Sequence, residues 1–111
     1  MAADIVKRQL VYWAQVTAAG VISNQNGPAA LTIVLAASVY TLTMPANFTV
    51  PINRRFVTVT TNNPAATPGS SATYDAAGSA AGTIVVRGAA FGGGALDTAF
   101  DIMVERFEMM S

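Results

Sequence analysis

The chain has 111 residues, with six Lys/Arg against six Asp/Glu and neither histidine nor cysteine. Charged residues make up 11 % of it, against about 25 % in an average soluble domain; the missing imidazoles and thiols exclude Ser-His-Asp and Cys-His catalysis, Cys/His zinc sites and disulfides. The only basic doublets, Lys7-Arg8 and Arg54-Arg55, make no track for nucleic acid, and the most apolar stretch, Leu31 to Met44, is shorter than the about 20 residues of a membrane-spanning helix.

Taken in order, residues 1–7 read as an N-terminal arm that orders on a partner. Leu10 to Val16 is rich in aromatic and β-branched residues and predicts a strand. Its alternation sends Tyr12 and Trp13 to opposite faces, so at most one of them fills the core. The other is available to anchor a subunit interface or to stack on a sugar. Thr17–Gly20 predicts a turn into a short strand, Val21–Ser23. Asn24 to Pro28 predicts a loop, because Asn-Gly and Gly-Pro favour turn geometry. Leu31–Leu35 follows as a strand with Leu31, Ile33 and Leu35 on one face.

Val39 to Met44 alternates, with Tyr40, Leu42 and Met44 on one face. Pro45 and Pro51 bracket a loop that carries Phe48, and Asn47-Phe48-Thr49 fits a glycosylation triplet of a kind common by chance. Arg54–Thr61 predicts the next strand. Asn62 to Gly82 is either a long loop or two weak pairing segments, with Tyr74 its only large side chain. Thr83–Arg87 predicts a strand, and Gly88 to Ala95 a glycine-rich loop. That loop lacks the Gly-Lys-Ser/Thr ending and following helix of a phosphate site. The last strand runs from Thr98 to about Phe107, with Phe100, Ile102 and Val104 on the core face and Asp101, Met103 and Glu105 outward. Residues 108–111 form a C-terminal tail.

Six or seven short strands separated by turn-rich loops predict an all-β fold, an antiparallel β-sandwich or jelly roll in a single domain over residues 8–107. The hydrophobic share of 52 % includes 21 alanines, which bury little area. So thin a core predicts further burial between subunits. Asp97, Asp101 and Glu105 are the carboxylates with any claim to acid–base chemistry, but they read as solvated strand residues or as partners of arginines. No Asp-x-Asp-x-Asp-Gly calcium loop is present. The expectation is therefore a non-enzymatic chain without metal or cofactor, working by association. Its apolar contacts are Tyr12 or Trp13, Phe107, Met109 and Met110. Arg54, Arg55 and Arg87 would pair across subunits with Asp97, Asp101 or Glu105.

The succession Tyr12 to Ile22, Val39 to Met44, Phe56 to Thr60, Thr83 to Arg87 and Gly92 to Val104 resembles the small trimeric β-sandwich modules of tailed-phage structural proteins. Those modules look like C1q or tumour-necrosis-factor jelly rolls. The resemblance covers roughly residues 8–107 and implies a homotrimer without a catalytic residue. The chain carries no fibrous stem, heptad or collagen-like repeat. Within that group it therefore looks like a capsid decoration (cement) protein, assembled in the host cytoplasm and seated on the capsid exterior against the major capsid protein. Tail-fibre and receptor- or glycan-binding modules share the fold and are the alternative.

Overall fold

The computed structural model describes residues 5–62, 70–90 and 94–110, with the backbone alone at positions 5, 6, 109 and 110. Its strands are β1 (Ile5–Val16), β2 (Ile22–Asn26), β3 (Thr32–Ala36), β4 (Val39–Thr43), β5 (Arg55–Thr61), β6 (Ser71–Asp75), β7 (Thr83–Ala89) and β8 (Phe100–Met110). Two single-turn 3-10 helices, Ala46–Phe48 and Ile52–Arg54, lead from β4 to β5. The strands form two four-stranded antiparallel sheets, ordered β2-β1-β8-β5 and β3-β4-β7-β6. The chain is thus a β-sandwich, as its alternating apolar residues predict.

Alternation decides which side of each strand is buried. Tyr12, Ala14 and Val16 of β1 meet Phe100, Ile102 and Val104 of β8 on the inner side of the first sheet, facing Tyr40, Leu42, Ile84 and Val86 of the second. The Tyr40 and Phe100 rings meet edge to face, with centroids 5.1 Å apart and planes at 79°. Both buried tyrosines place their hydroxyls on backbone groups, which removes the cost of an unsatisfied buried polar atom. Tyr12 donates to the Phe48 carbonyl at 2.7 Å. Tyr40 donates to the Ala18 carbonyl at 2.7 Å and accepts from the Thr98 amide at 2.9 Å.

The connections are tight. Ala36 pairs directly with Val39, leaving Ala37 and Ser38 as a two-residue turn with φ of 51° and 63°. Positive φ matches the twist of the flanking strands but is costly for residues with a Cβ. The turn is fastened from outside. The Gly88 amide donates to the Ser38 carbonyl at 2.9 Å, and Ser38 Oγ donates to Asp97 Oδ1 at 2.7 Å. A Cβ at Gly88 would collide with the Leu96 carbonyl, so glycine is required where the segment before β8 crosses β7.

Three boundaries differ from the sequence reading and a fourth is decided between its two alternatives, each for a backbone reason. Within the expected arm and tail, Ile5–Lys7 pairs with Glu108–Met110 as the far ends of β1 and β8; Met1–Asp4 and Ser111 lie outside the described residues. Asn24, Gln25 and Asn26 belong to β2 instead of a loop, held by pairing with Gln15, Ala14 and Trp13. Their amides stand exposed at the sheet edge, where weak strand propensity costs little. Within residues 62–82, Ser71–Asp75 pairs with β7, while 63–69 lie outside the described residues. Gly88 and Ala89, expected in the glycine-rich loop, end β7; residues 91–93 of that loop lie outside the described residues.

Candidate interaction surface

The outer side of the first sheet is built in rows by its register. Arg8 lies opposite Phe107; next come Leu10, Glu105 and Phe56, then Asn26, Trp13, Met103 and Thr58, and last Asn24, Gln15, Asp101 and Thr60. A bulge at Val11 makes this continuity possible. Strict alternation would put Leu10 on the same side as Tyr12, but the extra residue turns it outward beside Glu105. Leu10 is 53 % exposed, Phe56 40 % and Met103 37 %. Trp13 and Phe107 are half-buried on the same side.

At the end of this face nearest the start of β1 the polar and aromatic groups interlock. Arg8 Nη2 donates to Glu105 Oε1 at 2.8 Å. The Arg8 guanidinium lies 4.5 Å from the centroid of the Phe56 ring, within cation–π range. Phe56 in turn packs on Phe107 with centroids 4.7 Å apart. Aromatic residues, Met and Arg are the types enriched in protein interfaces. Beside them an open depression of about 330 Å³ is lined by Leu10, Val11, Trp13, Asn26 and Gly27.

Of the residues singled out from the sequence, two lie inside the fold. Tyr12 is 1 % exposed and belongs to the core. Arg55 is buried too: as the neighbour of outward Phe56 on a strand, it must point inward. It caps four carbonyls instead of pairing with an acid across subunits: Nε and Nη2 donate to Val50 O at 3.2 and 2.8 Å, Nη1 to Thr83 O at 3.1 Å, and Nη2 to Ala80 and Ala81 O at 3.2 and 2.8 Å. Arg87 pairs within the chain with Asp75, Nε to Oδ2 at 2.7 Å. That bond, with the Gly78 amide, holds the Asp75 carboxyl below its ordinary pKa.

Arg54 is exposed at the end of a 3-10 turn. Exposed Asp97 receives the Ser38 hydroxyl. Asp101 stands between Gln15 and Thr60 in the last outer row, and its Oδ1 is buried without a hydrogen-bond partner among the described residues. The fold therefore brings Trp13, Glu105, Phe107 and Asp101 to one face, and sets Tyr12, Arg55, Arg87 and Asp97 elsewhere. The side chains of Met109 and Met110 lie outside those described. The sequence reading missed Arg8, Leu10 and Phe56 as contacts. Phe56 was legible, because inward Val57 and Val59 put it on the outer side by parity.

Among the described residues, no three acidic side chains converge as a metal site would require, and no helix is long and apolar enough to cross a membrane. Burial pushes the pKa of the Tyr12 and Tyr40 hydroxyls up. Both are core groups on backbone carbonyls and serve packing. What the outer face offers is aromatic area, the Arg8 cation and the carboxylates of Glu105 and Asp101, a combination suited to recognition. Comparison with known protein families, characterised proteins and solved structures finds no match for this chain.

Proposed function

We propose that this chain is a bacteriophage virion structural protein. On this reading it is a capsid decoration (cement) protein that binds the major capsid protein as a homotrimer on the capsid exterior and stabilises the shell by association. The observation that carries the reading is the outer face of the first sheet, where Leu10, Phe56 and Met103 stay exposed around the Arg8–Glu105 pair. That face has the composition of an interface centre. Binding of many copies to a folded shell stabilises it by mass action.

The decisive measurement is sedimentation of the purified chain with expanded, undecorated capsids. Stoichiometric binding and a raised disassembly temperature are expected. A chain that leaves such capsids unbound and unaltered overturns the reading. The depression beside Trp13 and Asn26 favours a second reading, a tail-fibre or receptor/glycan-binding module, because an indole face next to an amide suits a sugar ring. Glycan binding abolished by Trp13→Ala, with no affinity for capsids, is the result that establishes it.

A further inference from the structure

β1 is 12 residues long, but β2 pairs only with Trp13 to Val16 and stops at Asn26. Pro28 follows, and a residue without an N–H cannot extend the ladder. Ile5 to Leu10 is therefore bonded to β8 on one side and, among the described residues, to no backbone on the other. Every second residue of such an edge turns its N–H and C=O outward. An open lane thus runs beside the first half of β1, in line with the end of β2. We infer that this lane binds an extended segment of another protein by strand addition, and that the segment carries an apolar side chain and, three residues from it, a carboxylate.

The spacing comes from the register. The depression of about 330 Å³ lined by Leu10, Val11, Trp13, Asn26 and Gly27 lies at the head of the lane, where β2 stops. An incoming residue beside Leu10 falls on the outer side of the sheet, and an apolar side chain there fills the depression against Leu10 and Trp13. Three residues further, beside Lys7, alternation places a side chain on the opposite side of the sheet. Lys7 is exposed and makes no ion pair among the described residues, so a carboxylate beside it gains a cross-strand partner.

Charge selects the occupant. Charged side chains and bulges guard sheet edges against wrong pairing, and here Lys7, Arg8 and the bulge at Val11 stand on one edge. The guard is of one sign. Two copies of this edge laid side by side, in any register that pairs most of both, set a cation of the Lys7-Arg8 doublet against a cation of the other copy. That arrangement repels, whereas an acidic segment is attracted.

The chain's own edge strands supply no such segment. β2, β3 and β5 contain no acid, and Asp75 of β6 is held by Arg87 and the Gly78 amide. Glu108, near the end of β8, is committed within its own chain, across from Lys7 and 4.0 Å from Arg106. What fits the lane is a foreign acidic strand.

The test uses the full chain and a library of short peptides randomised at every position. Selected peptides are expected to share an aromatic or aliphatic residue with Asp or Glu three positions away. On binding, hydrogen exchange should slow at backbone amides within residues 6–10 and not in β3 or β6. N-methylation of alternate amides should weaken a selected peptide at least tenfold, because it removes the donors of the added strand. Lys7→Glu should weaken it as much, with the circular dichroism unchanged, and a lysine in place of the peptide's acid should restore binding to that variant. Thr32→Glu on β3 is the control and should bind like wild type.

Selection without an acid, protection confined to β3 or β6, or a library that yields no binder overturns the inference. So does a wild type whose copies associate through this edge and are parted by Lys7→Glu, which would assign the lane to a second copy. Capsid sedimentation decides the shell reading separately, since the lane requires an acidic strand and no particular assembly.

Discussion

The two sides of the first sheet use the same strands for opposite purposes. On the inner side Tyr12 and Arg55 end on backbone carbonyls and Phe100 meets Tyr40 edge to face. On the outer side Phe56, Phe107, Leu10 and Met103 spread across the surface around one ion pair. Residues adjacent in sequence, Arg55 and Phe56, or Tyr12 and Trp13, therefore differ completely in environment. An apolar group on the inner side is needed for the sandwich to form. A group on the outer side adds little to folding, and its retention needs another cause. That division makes a direct forecast: inner substitutions change stability and outer ones change association.

The largest expected effect is on the inner side. Phe100→Ala removes a fully buried ring from the contact with Tyr40 and leaves a cavity that the two sheets cannot close. It should cost about 4 kcal/mol in equilibrium urea unfolding. A loss under about 1 kcal/mol would break the division between the sides. Arg55→Ala comes next, at about 2 kcal/mol, because it strips the guanidinium from the carbonyls of Val50, Ala80, Ala81 and Thr83. Arg55→Lys should recover only part of that loss, since an ammonium cannot reproduce the planar fork. Full recovery would mean that charge, and not the spread of donors, holds this corner.

Alkaline titration probes the same inner side without mutation. The Tyr12 and Tyr40 hydroxyls have folded pKa values raised by burial above the ordinary 10.0. Between the unfolded and folded values the native chain keeps protons that the unfolded chain has lost, so stability falls as pH rises. Their contribution is complete below pH 10 and is lost as pH climbs through the raised values. Thermal melting from pH 8 to 11 should show that decline, and it should be smaller in Tyr12→Phe. A flat profile would show that neither hydroxyl is shielded.

Much of this architecture is legible in the chain because period-two alternation is strong where the core is densest. Tyr40, Leu42 and Met44, or Phe100, Ile102 and Val104, define an inner face unaided. Alternation fails where backbone pairing outweighs side-chain preference. Asn24–Asn26 reads as a turn yet completes a ladder with β1, and the two ends Ile5–Lys7 and Glu108–Met110 find each other across almost the whole chain. The outer face was half legible. Parity places Trp13, Phe56 and Phe107 outward, but the bulge at Val11 that adds Leu10 leaves no local signature. Nor does the pairing of Arg8 with Glu105, since |i−j| is 97. The paired doublet Arg54-Arg55 suggested two surface cations, while its parity alone separates a buried one from an exposed one.

The smallest effect on folding, and the sharpest use of the comparison, is on the outer side. Phe56→Ser removes the ring from between Arg8 and Phe107. An exposed aromatic pair and one cation–π contact together contribute about 1 kcal/mol, so the urea midpoint should move only slightly. On the proposed function, capsid binding should by contrast weaken at least tenfold, because the ring packs against Phe107 and its loss also frees the Arg8 side chain it orients. Arg8→Ala should follow it in binding and leave stability within about 0.5 kcal/mol, as is usual for an exposed ion pair. The two readouts separate the purposes of the sheet. If Phe56→Ser destabilised the chain as much as Phe100→Ala does, the outer aromatics would be a second core in their own right, and their exposure would no longer call for a partner.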